Sequence, residues 1–223
     1  MVPRRTRLLV MRHAESLEDV DKQAYARVAD EDMPLTEIGK RQARNIGVQL
    51  AKELCSCGSL RVILSPSTRV LETAHAVVSA LPKRVSWSVA TEPLIVKQDW
   101  GDVTVHNRGQ IERERYKTGV LRYQFHGGES GANLLERFGL FAAKLRREIR
   151  RGETALVITH GFEFRVLLKS LLGWGESYFE SLAHPQHCEV KRLDHKDGSF
   201  YLLDEMRVYD SSANPNFIKR HAR

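Results

Sequence analysis

Three short apolar runs constrain the fold of this chain most. They are Arg7–Met11 (RLLVM), Arg61–Leu64 (RVIL) and Thr154–Thr159 (TALVIT), and each gives way to polar residues. A strand covered by helices on both faces reads as a continuous apolar run, whereas a half-exposed strand alternates. Each run is followed by a stretch with helical periodicity. Thr36 is placed to cap a helix reaching Leu54, with Ile38, Ala43, Ile46, Leu50 and Leu54 at helical spacing. Thr68–Ala80, Ser130–Arg151 and Gly161–Leu172 are the other helices of this kind. The alternation predicts an α/β fold: a doubly wound, mostly parallel sheet with helices on both faces.

The remaining segments fill in around this frame. Val85–Val89 alternates like a further strand. Val190–Leu193 and Phe200–Leu203 read as a hairpin turned at Asp197-Gly198. Asp19–Met33 and Glu92–Gly109 lack periodicity and are expected as loops, while Ile111–Tyr123 reads as a highly charged helix. The chain of 223 residues is expected to form one domain over 1–223, with basic tails at about 1–6 and 214–223.

Charge raises the question of partners. The net charge is +7. Its runs, Arg4-Arg5 with Arg7, Lys144–Arg151 and Lys219–Arg223, are scattered and have no aromatic residues interleaved, so a nucleic-acid partner is not expected. No apolar run approaches the roughly 18 residues of a membrane span. Three cysteines, Cys55, Cys57 and Cys188, are too few for a disulfide framework and fit a reducing, cytoplasmic setting. They are read as structural or incidental. Neither a metal nor a cofactor is implied, because the histidines show no ligand spacing with carboxylates. His184 and His187 flank a proline; surface placement is the expectation and the pocket wall the alternative.

Ligands in such sheets bind beyond the carboxyl ends of the strands. There the three runs end in Arg12-His13-Ala14-Glu15-Ser16, in Ser65-Pro66 with Arg69 one turn on, and in Thr159-His160-Gly161. Two histidines and two arginines at one sheet end suit phosphoryl transfer. A neutral imidazole is a competent nucleophile near pH 7. Guanidinium donors match phosphate oxygens, and a second imidazole can hold charge on the transferring group. Each of these pairs alone would be unremarkable. Their common position at strand-to-loop junctions carries the reading.

The chain here resembles the histidine phosphatase, or phosphoglycerate mutase, family. Leu9–Ser16 (LVMRHAES) is similar to its Arg-His-Gly-Glu signature. Leu35–Gly39 with Gln42-Ala43, Ser65–Arg69 with Glu72–Ala74, and Val157–Gly161 resemble the blocks that follow, in family order and across most of the chain. Phe125–Ser130, His160–Arg165 and Cys188–Val190 resemble a broad-specificity phosphatase-like branch of fungi, plants and protists. The resemblance implies that His13 becomes phosphorylated and that Arg12, Arg69 and His160 bind the phosphoryl group. Ser16, Asp19 and Lys97 would contact substrate, with Glu129 and Ser130 near the rim. Ser130 as a helix cap, with Glu129 against the helix dipole, is an equal alternative.

The pattern departs in two places. Before Gln98-Asp99-Trp100-Gly101, Lys97 stands where the branch carries its proton-donating Glu, and Leu94 and Val96 stand where Arg is common. An alkylammonium, with an unperturbed pKa of about 10.4, is a far poorer donor at pH 7 than a carboxylic acid. In the first loop, Ala14, Glu18 and Asp19 replace Gly, Gly and Asn. Glu92, Asp99 or Glu129 are the candidate replacement acids, and Asp19 with Lys97 is a candidate exchanged ion pair. The expectation is a phosphatase acting through His13 on a small phosphate ester or phosphoprotein, slowed by Lys97. The alternatives are a phosphate-binding protein without useful turnover and, behind it, a phosphoglycerate mutase.

Overall fold

The computed structural model describes residues 5–54 and 59–209. Cys55, Cys57, the run Lys219–Arg223 and most of both expected tails lie outside those residues. The sheet has six strands: β1 (Thr6–Arg12), β2 (Ser59–Leu64), β3 (Ser86–Thr91), β4 (Thr154–Thr159), β5 (Val190–Lys196) and β6 (Ser199–Leu202). β1 thus begins within the stretch expected as a tail. The spatial order is β3-β2-β4-β1-β5-β6. The first four strands in that order are parallel, and β5 and β6 run antiparallel to their neighbours. The hairpin between them turns at Asp197 (φ 52°) and Gly198 (φ 77°), the positive pair that a two-residue connection needs.

Alternate residues of the central strands feed two cores. Leu8 and Val10 of β1, with Ala155 and Val157 of β4, face helices α5 (Gly131–Glu148) and α6 (Gly161–Leu172). Leu9 and Met11, with Leu156 and Ile158, face the side covered by α2 (Glu37–Leu54) and α3 (Thr68–Ser79). This two-sided burial is the physical source of the unbroken apolar runs. Thr36 caps α2, its hydroxyl accepting from Gly39 N at 2.9 Å. The buried stripe of α2 is Gly39, Ala43, Gly47, Leu50 and Leu54, so Ile38, expected inside, faces solvent instead.

Two expected segments are corrected. Residues 19–33 are not featureless: they follow a single helical turn, α1 (Leu17–Val20), and contain 3-10 turns at Lys22–Ala26 and Asp30–Asp32. The charged helix α4 (Arg108–Thr118) starts earlier than expected and stops at Gly119, whose φ of 109° ends it. Ser130 does cap α5, accepting from Asn133 N at 3.0 Å. A last short helix, α7 (Glu176–Ser181), precedes β5.

Candidate active site

The register of β1 on β4 sets Arg12 beside Thr159, and that of β2 on β4 sets Leu64 beside Ile158. The residues just past these strand ends therefore converge. His13 N donates to Thr159 O at 2.9 Å, and Ser65 N donates to Ile158 O at 3.2 Å. The rings of His13 and His160 meet edge-on with centroids 5.3 Å apart. A cavity of about 200 Å³ opens over them, lined on one side by Arg12, His13 and Asp19 and on the other by His160, Gly161 and Glu163. Arg108, Glu112 and Arg115 of α4 also line it. Their spacing puts them on one helix face, which explains a helix that is charged on its inner side.

His13 is buried, with Nδ1 2.7 Å from Ala14 O. A carbonyl can only accept, so Nδ1 carries the proton and the Nε2 lone pair is left for other chemistry. Burial, with the guanidiniums of Arg69 and Arg12, holds the His13 pKa well below that of a free imidazole. His160 is depressed in the same way, chiefly by burial and then by Arg69. Its Nε2 lies 2.8 Å from Ser65 Oγ, and its Nδ1 has no hydrogen-bond partner among the described residues. The sequence reading places Ser65 at the end of its strand and within a family block but assigns it no role beside His160.

The two arginines are used differently. Arg12 donates to Pro185 O at 2.8 Å and to Asp19 Oδ1 at 3.0 Å, and it lines the cavity. Arg69 is fully buried, does not line the cavity, and is held by the chain's own acids. It donates to the Asp30 carbonyl and, at 3.0 Å, to Asp30 Oδ2, while its Nε lies 3.5 Å from Glu18 Oε1.

Lys97 completes that cluster. Its ammonium donates to Glu18 Oε2 at 2.7 Å, Tyr25 OH at 2.8 Å and Asp30 Oδ1 at 2.5 Å. An ammonium has three protons, so all are committed. The expected Asp19–Lys97 pair is therefore not formed; the partner is the adjacent residue Glu18, together with Asp30 of the second 3-10 turn. Asp19 turns to Arg12, to His187 (3.1 Å) and to Ser16, whose hydroxyl donates to it at 2.7 Å. Burial would raise the Asp19 carboxyl, but the nearby His187 ring and the hydrogen bonds from Ser16 outweigh it and hold the group anionic. Ser16 is fully buried in this contact, not directed at the cavity.

The other candidate acids lie elsewhere. Glu92 accepts from Lys144 Nζ at 2.7 Å and Leu94 N at 3.1 Å. Asp99 lines a neighbouring cavity of about 580 Å³ and accepts from Gly101 N at 2.8 Å. Burial would raise Glu129, but Arg137 grips both its oxygens at 2.8 Å and lowers its pKa. The loops carrying Asp99 and Glu129 touch backbone to backbone: a Cβ on Gly101 would stand 2.1 Å from His126 O.

His184 belongs to the wall, whereas His187 does not line the cavity. His187 is half-buried, its ring centroid 6.2 Å from that of His13. His184 lines the cavity and is exposed as a whole residue, but its ring lies against Gly161, and desolvation there, with the charges of Arg12 and Arg165, pushes its pKa down to about 3. It packs on Gly161, where a Cβ would meet its Nε2 at 2.1 Å.

The chain is similar to several known proteins. Phosphoglycerate mutase-like protein AT74H of Arabidopsis thaliana is 28% identical over 212 residues, covering 87% of this chain and 75% of its own. Broad-range acid phosphatase DET1 of Saccharomyces cerevisiae is 30% identical over 117 residues, 49% of this chain and 35% of its own. The mycobacterial glucosyl-3-phosphoglycerate phosphatase solved with VO3 superimposes with a TM-score of 0.68 at 20% identity, over 92% of this chain and 98% of that one, a likeness of fold. Residues 8–205 match the histidine phosphatase superfamily (branch 1), and the chain belongs to that family.

Proposed function

We propose that the chain is a phosphoric ester hydrolase that passes the phosphoryl group to His13 Nε2 and then to water. The observation that carries this is the state of His13: buried in the cavity floor, neutral, with its proton fixed on Nδ1 by Ala14 O. Nε2 then needs no base to become a nucleophile. Arg12 supplies charge to the phosphoryl oxygens, while Arg69, sealed against Asp30 and Glu18, lends the site only its field. The first turn of α6 opens on the same cavity and adds its dipole. Ser65 donating to His160 Nε2 leaves the proton on Nδ1, free to reach a phosphoryl oxygen. The name of the yeast relative, a broad-range acid phosphatase, favours hydrolysis over a mutase and agrees with the broad-specificity branch. A small phosphate ester fits the cavity best.

The test is hydrolysis of p-nitrophenyl phosphate with trapping of phosphohistidine, in wild type and His13→Ala. That leaving group barely needs an acid. Turnover and trapping in wild type, both lost in His13→Ala, are the expected result. A second reading is favoured by Lys97, whose three protons are engaged by Glu18, Tyr25 and Asp30, and by Arg69, which donates to Asp30. In that reading the site binds phosphate without turning esters over. Phosphate binding by calorimetry, with neither hydrolysis nor trapping, would favour it.

A further inference from the structure

Four carboxyl side chains line the cavity above His13: Glu18, Asp19, Glu112 and Glu163. Three are held by cations. Glu18 binds Lys97, Asp19 binds Arg12, and Glu112 accepts from Arg108 Nε at 2.9 Å. Glu163 forms no ion pair among the described residues. It is 2% exposed, on an α6 segment that is otherwise largely apolar. An unpaired carboxylate in such a place is costly, and a neutral carboxylic acid is the natural alternative. One of its oxygens accepts the backbone N–H of Gln98 at 2.7 Å. It therefore sits against residue 98, directly beside the Lys97 position where the family resemblance puts the proton donor.

We propose that Glu163 is the general acid of this site, supplied from α6 instead of from the loop at Lys97. The assignment rests on the hydrolase reading above. Burial raises the Glu163 pKa even though Lys97 and Arg137 oppose it, and even though Arg12 of β1, Arg115 of α4 and Arg165 of α6 feel its charge. Its protonated form is the one present below that raised pKa and is lost as pH rises through it.

The proton balance is complete. His13 Nε2 bonds to phosphorus as the bond to the leaving oxygen breaks, and the Glu163 carboxyl proton goes to that oxygen, releasing an alcohol. Water then attacks phosphohistidine, its proton passes to the Glu163 carboxylate, and the P–N bond breaks. Inorganic phosphate leaves, with His13 neutral and Glu163 protonated again.

The experiment compares an alkyl phosphate (β-glycerophosphate) with p-nitrophenyl phosphate in wild type, Glu163→Gln and Glu163→Asp. Gln matches the protonated carboxyl in shape and can still accept from Gln98 N. The readout is the alkyl-to-aryl ratio of product release in the first turnover. The expected result is a fall of that ratio in Glu163→Gln on the order of 10²–10⁴-fold, with loss of the basic limb of kcat/KM against pH. Glu163→Asp, a shortened acid, should fall between. A merely structural role would lower both esters alike and leave the ratio unchanged, and that result overturns the proposal, as does a wild-type ratio in Glu163→Gln. If wild type itself neither hydrolyses nor traps phosphate, the hydrolase reading fails first and the assignment falls with it.

Discussion

Arg12 and Arg69 are both delivered to the carboxyl edge of the sheet, one at the end of β1 and the other one turn past β2. Their circumstances differ. Arg12 has one acid partner, Asp19, and faces the cavity; Arg69 is sealed from solvent against Glu18 and Asp30, which also hold Lys97. Strand order brings a cation to the site, but the segment from Leu17 to Met33 decides whether a ligand can reach it. Two cations and two carboxylates in the Arg69 cluster nearly cancel, whereas among the described residues no carboxylate hydrogen-bonds to His13 or His160. One half of the site is self-neutralised and the other is ready for an anion.

Removing the sealed cation should cost most. Arg69→Ala strands two carboxylates with Lys97 alone, and breaking a buried pair costs about 3–5 kcal/mol. Denaturant unfolding measures it, and a loss no larger than that of Arg12→Ala would erase the contrast. The bare half shows itself through pH. His13 and His160 have folded pKa values below the unfolded value of about 6.5, so between the two the unfolded state holds the extra protons. Stability should fall as pH drops below about 6.5, by up to about 1.4 kcal/mol per pH unit for each ring. Unfolding midpoints from pH 7.5 to 5 check the sign; a flat profile would mean that the folded and unfolded states take up protons alike.

Asp30→Asn loosens the seal without removing volume. Arg69 should then contribute to anion binding, tightening phosphate roughly tenfold by titration calorimetry, the worth of one charge-assisted hydrogen bond. Unchanged affinity would place Arg69 out of reach whatever its partner. The smallest effect separates the two acids of the first loop. A double-mutant cycle between Lys97 and Glu18 should give about 0.5–3 kcal/mol of coupling, and one between Lys97 and Asp19 less than about 0.5 kcal/mol. Equal values would return Lys97 to the other half of the site.

What could be read from the sequence follows from where the physics is local. β4 and α6 occupy the expected residues, because an apolar run and a 3.6-residue period are properties of contiguous chain. The capping roles of Thr36 and Ser130 are local as well. The convergence of His13, Arg12 and His160 was legible because strand ends in a parallel sheet share an edge. The partners of Lys97 were not. Glu18, Tyr25 and Asp30 lie up to 79 residues away along the chain, in a segment whose path is set by contacts and not by periodicity. Glu163 did leave a signal, a lone acid at the apolar start of GFEFRVLL, which the block resemblance over His160–Arg165 concealed.

Lys97, Trp100 and Arg108 line both the cavity over His13 and its larger neighbour, so these three residues form the partition between the two. Such a partition can be taken down one codon at a time while the sheet stays as it is. Chains differing only at Lys97, Tyr25 or Asp30 would share a reaction centre and differ in the bulk they admit. In this architecture the width of the opening can change while the residues at the sheet edge stay fixed.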